Sequence, residues 1–302
     1  MKVVVSGGTG FIGSALVERL ASANHVVVLL TRAPAAHARA RANVVIAEWD
    51  GKSVGPWGQQ IEGADAVVNL TGVSLAAKRW TQKQKEILVS SRREPARALV
   101  EAIGAVRKRP SVFLSASAVG YYGHVESDDV TEDTPHGDDF LASLTMKWET
   151  EASRATEYGV RVVTPRFGVV LDRRGVALTR LALPFRFFAG GWLGSGKQWF
   201  AWVHREDVVR AIEFTLVTDM VSGPLNLAAP DAVTNKEFCK VLGSVLHRPC
   251  WAAVPAPVLR LALGEMADML LTGQKVKPTK LQEAGFSFQY PTLRMALQKI
   301  FQ

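Results

Sequence analysis

The sequence predicts an α/β chain built on a doubly wound parallel sheet, followed by a smaller C-terminal domain. Three observations carry that expectation. Apolar runs of strand length recur from the N-terminus to Thr164, most of them separated by helical patterns. A glycine-rich turn joins the first strand to the first helix. Beyond Pro165 the texture shifts to Gly, Pro and Trp.

The first strand is Val3-Val4-Val5, continuous and apolar as a strand buried on both faces must be. A helix follows over residues 11–23, because Phe11, Ile12, Ala15, Leu16 and Leu20 recur at helical spacing. Five further strands are expected at 25–30, 44–47, 66–70, 111–115 and 160–164. Long helices are expected at 81–106, disturbed at Pro95 where a helix hydrogen bond is lost, and at 140–158. Segment 33–42, rich in Ala and Arg, reads as a surface loop or short helix, and 184–202 as irregular capping structure. Residues 202–209 resemble a short strand entering a helix whose first-turn acids suit the helix dipole. Helices over 235–246, capped by Thr234, and over 257–271 complete the chain. Right-handed crossovers then give a Rossmann-type domain over 1–168, rejoined by 198–228, and a smaller domain over 169–302.

Composition narrows the function classes. A chain of 302 residues with 48% hydrophobic content can bury one large core, or a core plus a smaller satellite domain. No apolar run approaches the roughly 20 residues needed to span a bilayer, and the sequence opens on a strand, so a cytoplasmic protein with no membrane partner is expected. Cys239 and Cys250 match no disulfide framework and no metal-site spacing, so no metal is expected. The net charge of +8 admits a nucleic-acid binder, yet the basic residues are interleaved with acids and carry no reading motif, so a solvated basic surface is preferred and nucleic acid is not expected as a partner.

The glycine turn carries the chemistry. In Ser6-Gly7-Gly8-Thr9-Gly10-Phe11-Ile12-Gly13 the glycines permit positive φ and remove the Cβ atoms that would keep a pyrophosphate from the N–H groups at the helix start. A strand before it and a helix after it are the context of a dinucleotide site, which assigns Gly7, Thr9, Gly10, Phe11, Ile12 and Gly13 to the cofactor. NAD-selective sites end the second strand with an acid on the ribose 2′-hydroxyl. Here the strand ends Leu30-Thr31-Arg32, and a guanidinium suits a 2′-phosphate, so NADP(H) is favoured, with Thr31 and Arg32 as contacts. Alternatively Arg32 is only a solvated strand end. After the fourth strand, Asn69-Leu70-Thr71-Gly72 lets the backbone pass close to the adenine side of the cofactor, with Leu70, Thr71 and Gly72 as contacts, unless it forms an ordinary turn.

These segments, with Lys78-Arg79-Trp80-Thr81, Ser115-Ala116-Ser117-Ala118-Val119-Gly120-Tyr121-Tyr122-Gly123, Gly194-Ser195-Gly196-Lys197-Gln198-Trp199 and Leu281-Gln282-Glu283-Ala284-Gly285-Phe286, resemble the extended short-chain dehydrogenase/reductase superfamily. More narrowly they resemble its atypical branch of epimerase family proteins, similar to NAD-dependent epimerase/dehydratases but with a C-terminal domain of unknown function. The resemblance implies a Rossmann fold with a substrate-capping C-terminal domain, cofactor contacts at Ser115 and Arg166, and pairing of subunits through the two long helices, hence a homodimer. It also implies a serine after the fifth strand, fitted by Ser117, and a Tyr-x-x-x-Lys pair some 25 residues on. That register falls on Ser143-Leu144-Thr145-Met146-Lys147: the lysine is present for the ribose, and the tyrosine is a serine. A serine hydroxyl is too weak an acid to inherit the phenol's task. Tyr121 or Tyr122, in the loop after the fifth strand, could replace it in space, with Tyr122 taken as the catalytic candidate beside Ser117 and Lys147. His204 near Asp207 is read as structural, introducing a helix.

Two functions follow. One is an NADP(H)-dependent oxidoreductase or nucleotide-sugar epimerase-like enzyme with an unidentified small-molecule substrate. The other is a catalytically degenerate NADP(H)-binding sensor or scaffold, motivated by Ser143.

Overall fold

The computed structural model describes residues 1–37, 41–125 and 129–302. Its strands are β1 (Lys2–Ser6), β2 (Val26–Thr31), β3 (Val44–Glu48), β4 (Ala66–Asn69), β5 (Val112–Ser115), β6 (Ser117–Ala118), β7 (Asp129–Val130) and β8 (Arg161–Phe167). Then follow β9 (Val169–Leu171), β10 (Gly190–Leu193), β11 (Trp199–Phe200), β12 (Trp202–His204), β13 (Gly223–Leu227), β14 (Val233–Thr234), β15 (Cys250–Val254) and β16 (Lys275–Val276). The helices used below are α1 (Gly13–Ser22), α2 (Gln82–Ala105), α3 (Phe140–Ser153), α4 (Val176–Arg186), α5 (Arg205–Val217), α6 (Asn235–Leu246) and α7 (Ala256–Leu263).

An eight-stranded sheet forms the centre, ordered β13-β8-β5-β4-β1-β2-β3, with β6 attached to β8. Every pairing in it is parallel. Val3 and Val5 of β1 enter one core with Leu16 and Leu20 of α1 and Val208 and Ile212 of α5. Val4 points to the other, with Leu99 and Ile103 of α2 and Ala152 of α3. Helices cover both faces, as crossovers between parallel strands require. A separate core holds Leu178 and Phe185 of α4, Trp202, Phe238 and Leu242 of α6, and Leu293 and Leu297 near the C-terminus. The chain crosses between the two cores more than once: β13 and α5 belong to the first although they follow α4.

The differences from expectation are local. Helix α2 runs unbroken through Pro95, which is buried with Ala96, Ala98 and Leu99. That packing offsets a cost of about 3 kcal/mol for an interior proline. The helix from Phe140 tightens to 3-10 geometry at Arg154–Tyr158. Segment 184–202 is more ordered than its glycines suggest, since β10 pairs with β15 and β11 with β14. The expected helix over 257–271 divides at Gly264, which has φ of 62°. In segment 33–42 the described part is a 3-10 turn, Pro34–His37, and residues 38–40 lie outside the described residues. Helix α6 begins where expected, closed by a reciprocal capping box between Thr234 and Glu237.

Candidate functional site

The carboxyl ends of β2, β1, β4 and β5 lie side by side, so the segments leaving them form one edge of the sheet. In open parallel sheets this edge is the ligand edge. At its centre is the turn between β1 and α1. Gly7 takes φ of 70°, and a Cβ there would stand 2.6 Å from the Leu70 carbonyl carbon and 2.8 Å from the Thr71 nitrogen. A Cβ on Gly13 would run into the Gly7 carbonyl oxygen, whereas one on Gly10 would meet only that oxygen, at 3.1 Å. Gly10 N–H donates to Gly7 C=O at 3.0 Å, closing the turn. No side chain caps α1 and no acid lies in its first turn, so the positive end of the helix dipole is not offset by a side-chain charge. Phe11 packs beside Gly175 and under the Arg205 guanidinium, 4.9 Å from its ring. A backbone cradle of this kind fits the pyrophosphate of a dinucleotide.

The floor of the edge is held by Asn69. Its Oδ1 accepts from Ser6 Oγ at 2.9 Å and from the Thr71 N–H at 3.2 Å, and its Nδ2 donates to Ser115 Oγ at 3.1 Å. One buried amide thus ties the ends of β1, β4 and β5 together. Ser115 is fully buried in this clip, so its side chain braces the floor and does not contact a ligand. Thr31 is also buried; its Oγ1 accepts from the Ala33 N–H at 3.2 Å and turns the chain beneath exposed Arg32. Behind the next loop lies Arg92, 8% exposed, donating to the Val73 and Leu88 carbonyls at 3.0 Å. Burial lowers its pKa to about 10, and its Cζ would lie 3.3 Å from a Cβ on Gly72. Gly72 therefore admits a guanidinium close to the backbone.

Beyond β5 the site departs from expectation. Ser117 Oγ donates to Glu149 Oε1 at 2.5 Å. Both carboxylate oxygens of Glu149 accept from Arg166 at 2.8 Å, a bidentate pair. The third arm of Arg166 donates to Tyr122 Oη at 2.8 Å, and Tyr122 donates in turn to Asn226 Oδ1 at 2.6 Å. Burial opposes the charge on Arg166, but hydrogen bonds and attraction from Glu149 prevail and raise its pKa. This network fixes the face of α3 turned to the site: Glu149 is on it, as is Leu141, whose Cβ lies 3.2 Å from where Gly120 would carry one. Thr145, one turn from each, is buried on the same stripe.

Three expected assignments are corrected by this register. Lys147, two residues from Glu149, is rotated to the other side of α3 and is exposed beside Phe140 in a groove against α2, so it does not reach the sheet edge. Ser143 shares that rotation. Arg166 is 2% exposed and spent on Glu149 and Tyr122, which removes it from the cofactor contacts. Tyr122, also 2% exposed, has both hydrogen-bonding directions of its hydroxyl engaged, and burial pushes its pKa up to about 12. A phenol so held is a poor proton shuttle. The half-buried phenol is Tyr121, with the Arg166 guanidinium 3.5 Å from its ring centroid and the His136 ring at 6.0 Å. His204 has the structural role expected of it: Nδ1 accepts from the Glu206 N–H and caps α5, and the ring stacks on Tyr290 at 4.0 Å. Among the described residues no group of His, Cys, Asp and Glu could hold a metal, and no helix is long and apolar enough to cross a membrane.

Glu149 and Arg92 were not singled out from sequence, and Asn69 entered only as the first residue of the turn at 69–72. A polar residue closing an apolar strand could have marked Asn69, but a charged residue inside a helix gives no sign of its partner.

Comparison with known proteins adds to this geometry. The model of the NAD dependent epimerase/dehydratase family matches residues 3–228, and a domain of unknown function (DUF1731) matches residues 254–300. An epimerase family protein of Staphylococcus haemolyticus is 39% identical over 298 residues, covering 98% of each chain. The chloroplastic epimerase family protein SDR39U1 homolog of Arabidopsis thaliana is 41% identical, covering 100% of this chain and 87% of its own. Among solved structures, the human epimerase family protein SDR39U1 (isoform 2), crystallised with NADPH, superposes with a TM-score of 0.87 at 35% identity, covering 99% of both chains.

Proposed function

The chain belongs to the NAD dependent epimerase/dehydratase family, and on that premise we propose that it binds NADP(H) and acts as an oxidoreductase or epimerase-like enzyme on a small molecule. The single observation that supports this most is α1, without a side-chain cap, behind a turn that leaves no room for a side chain at Gly7 or Gly13. Arg32, exposed where β2 ends, supplies the contact for a 2′-phosphate, and the human relative's NADPH agrees with that choice. The reading includes a cytoplasmic location, a homodimer and no nucleic-acid partner.

When bound, the nicotinamide supplies hydride chemistry; the protein holds it and manages protons. Gly7 to Gly13 take the pyrophosphate and Leu70 to Gly72 the adenosine side. Ser117, 2% exposed, has committed its proton to Glu149 and so braces that carboxylate from below the site. Tyr121 is the phenol placed to exchange a proton with a substrate oxygen.

One observation favours the sensor reading instead: the stripe Leu141, Thr145, Glu149 offers neither a phenol nor an ammonium from α3. The test is to record nicotinamide absorbance with a panel of carbonyl compounds, secondary alcohols and sugar nucleotides. Turnover that vanishes in Tyr121→Phe while NADPH binding persists supports the enzyme. Tight NADPH binding with no turnover across the panel supports the sensor.

A further inference from the structure

The C-terminal core carries an exposed face that the cofactor site does not use. Helix α4 carries Leu183 and ends at Arg186, and the two residues that follow, Phe187 and Phe188, are 74% and 57% exposed. Trp251, on β15 alongside, is 72% exposed. Its Nε1 donates to the Phe188 carbonyl at 3.1 Å, and the Arg248 guanidinium lies 4.6 Å from the Phe188 ring. Phe188 has φ of 59°, an outlier for a bulky residue. Strain of this kind persists only where the surroundings impose it, and here it turns an aromatic side chain outward.

The stretches of chain that build this face are basic. Between Asp172 and Glu206, and again between Glu237 and Glu265, the sequence holds nine lysines and arginines and no acid. The whole chain has a net charge of +8, so these two spans account for its basic balance. They build α4, β10, β15 and α7, and they also carry exposed Leu183, Val258 and Leu261. A solvated basic surface would alternate with acids and would not expose two phenylalanines and a tryptophan together.

We propose that the Phe187–Phe188–Trp251 knuckle, flanked by Arg186 and Arg248, docks the protein peripherally on an anionic lipid bilayer. Aromatic rings are favoured at the depth of the headgroups, and guanidinium groups pair with lipid phosphates. Arg186 and Arg248 stand in stretches of chain that hold no acid, and the acid beside α7, Asp268, is paired with Arg260 at 3.5 Å. The docking is independent of the cofactor reading.

Cosedimentation of the full chain with mixed phosphatidylglycerol–phosphatidylcholine vesicles, against phosphatidylcholine alone, tests it. The expected result is retention on the anionic vesicles only, weakened by salt and reduced at least tenfold in Phe187→Glu and in Trp251→Glu, both surface changes. Arg248→Glu lowers it further at low salt. Absence of binding to anionic vesicles at low salt overturns the proposal, as does equal binding by the aromatic variants. So does sedimentation velocity showing that Trp251→Glu abolishes a self-associated state, which makes the face an interface between copies. Retention of an oligonucleotide lost in Arg248→Glu but not in Trp251→Glu, without vesicle binding, assigns the face to nucleic acid.

Discussion

Arg166 and Glu149 meet through two hydrogen bonds of 2.8 Å, with 2% and 12% of their side chains exposed. Glu149 stands on the α3 face where the superfamily resemblance leads one to look for catalytic residues. Removing one member of a buried pair strands the other charge, at about 3 to 5 kcal/mol. Glu149→Gln is therefore expected to lower the thermal midpoint by several degrees, and the double change Glu149→Met, Arg166→Met to recover part of that loss. Calorimetry of the single and double variants measures it.

The glycine turn predicts a graded series. Gly13→Ala collides with the Gly7 carbonyl and Gly7→Ala with the backbone at Leu70, so both should weaken NADPH binding by more than tenfold. Gly10→Ala meets a single atom at 3.1 Å and should perturb the turn less. Fluorescence titration with NADPH, beside circular dichroism to verify folding, ranks the three.

Arg32→Ala should separate the two nicotinamide cofactors. A charge-assisted hydrogen bond is worth about 1.5 to 3 kcal/mol, or roughly ten- to a hundredfold in affinity. NADPH affinity should fall by that factor while NADH affinity changes little; equal losses would place Arg32 outside the 2′-phosphate site. Lys147→Ala, by contrast, should leave NADPH affinity within about twofold, given where α3 turns that side chain.

Tyr122 predicts an alkaline limit to stability. Its ordinary value is 10.0 and burial raises it to about 12. Between these values the unfolded chain has lost a proton that the folded chain retains, so stability is full below pH 10 and falls as pH rises toward 12. Thermal midpoints measured across that window should decline less steeply in Tyr122→Phe than in the natural chain.

The strands, the glycine turn and the start of α6 were legible in the sequence because each rests on local chemistry: apolar runs, missing Cβ atoms, and a Thr234–Glu237 spacing that caps itself. The register of α3 was not. A helix shows its partners only once packed, and counting from Ser117 put Lys147 where the fold puts residues two positions away. Tyr121 and Tyr122 are adjacent and chemically alike in sequence, and partners remote in the chain, Arg166 and Asn226, distinguish them by engaging the Tyr122 hydroxyl. Pro95 argued for a break that tertiary packing overrides.

Asn69 gives the sheet edge one more property. Because a single amide secures Ser6, Thr71 and Ser115 in the folded chain, the ledge on which a dinucleotide would lie is set during folding. An arriving ligand would have little local entropy left to remove, and its affinity would reflect contacts more than induced order. The pyrophosphate end and β5, beside Ser117, thus share one anchor, and a change of that one side chain would loosen both.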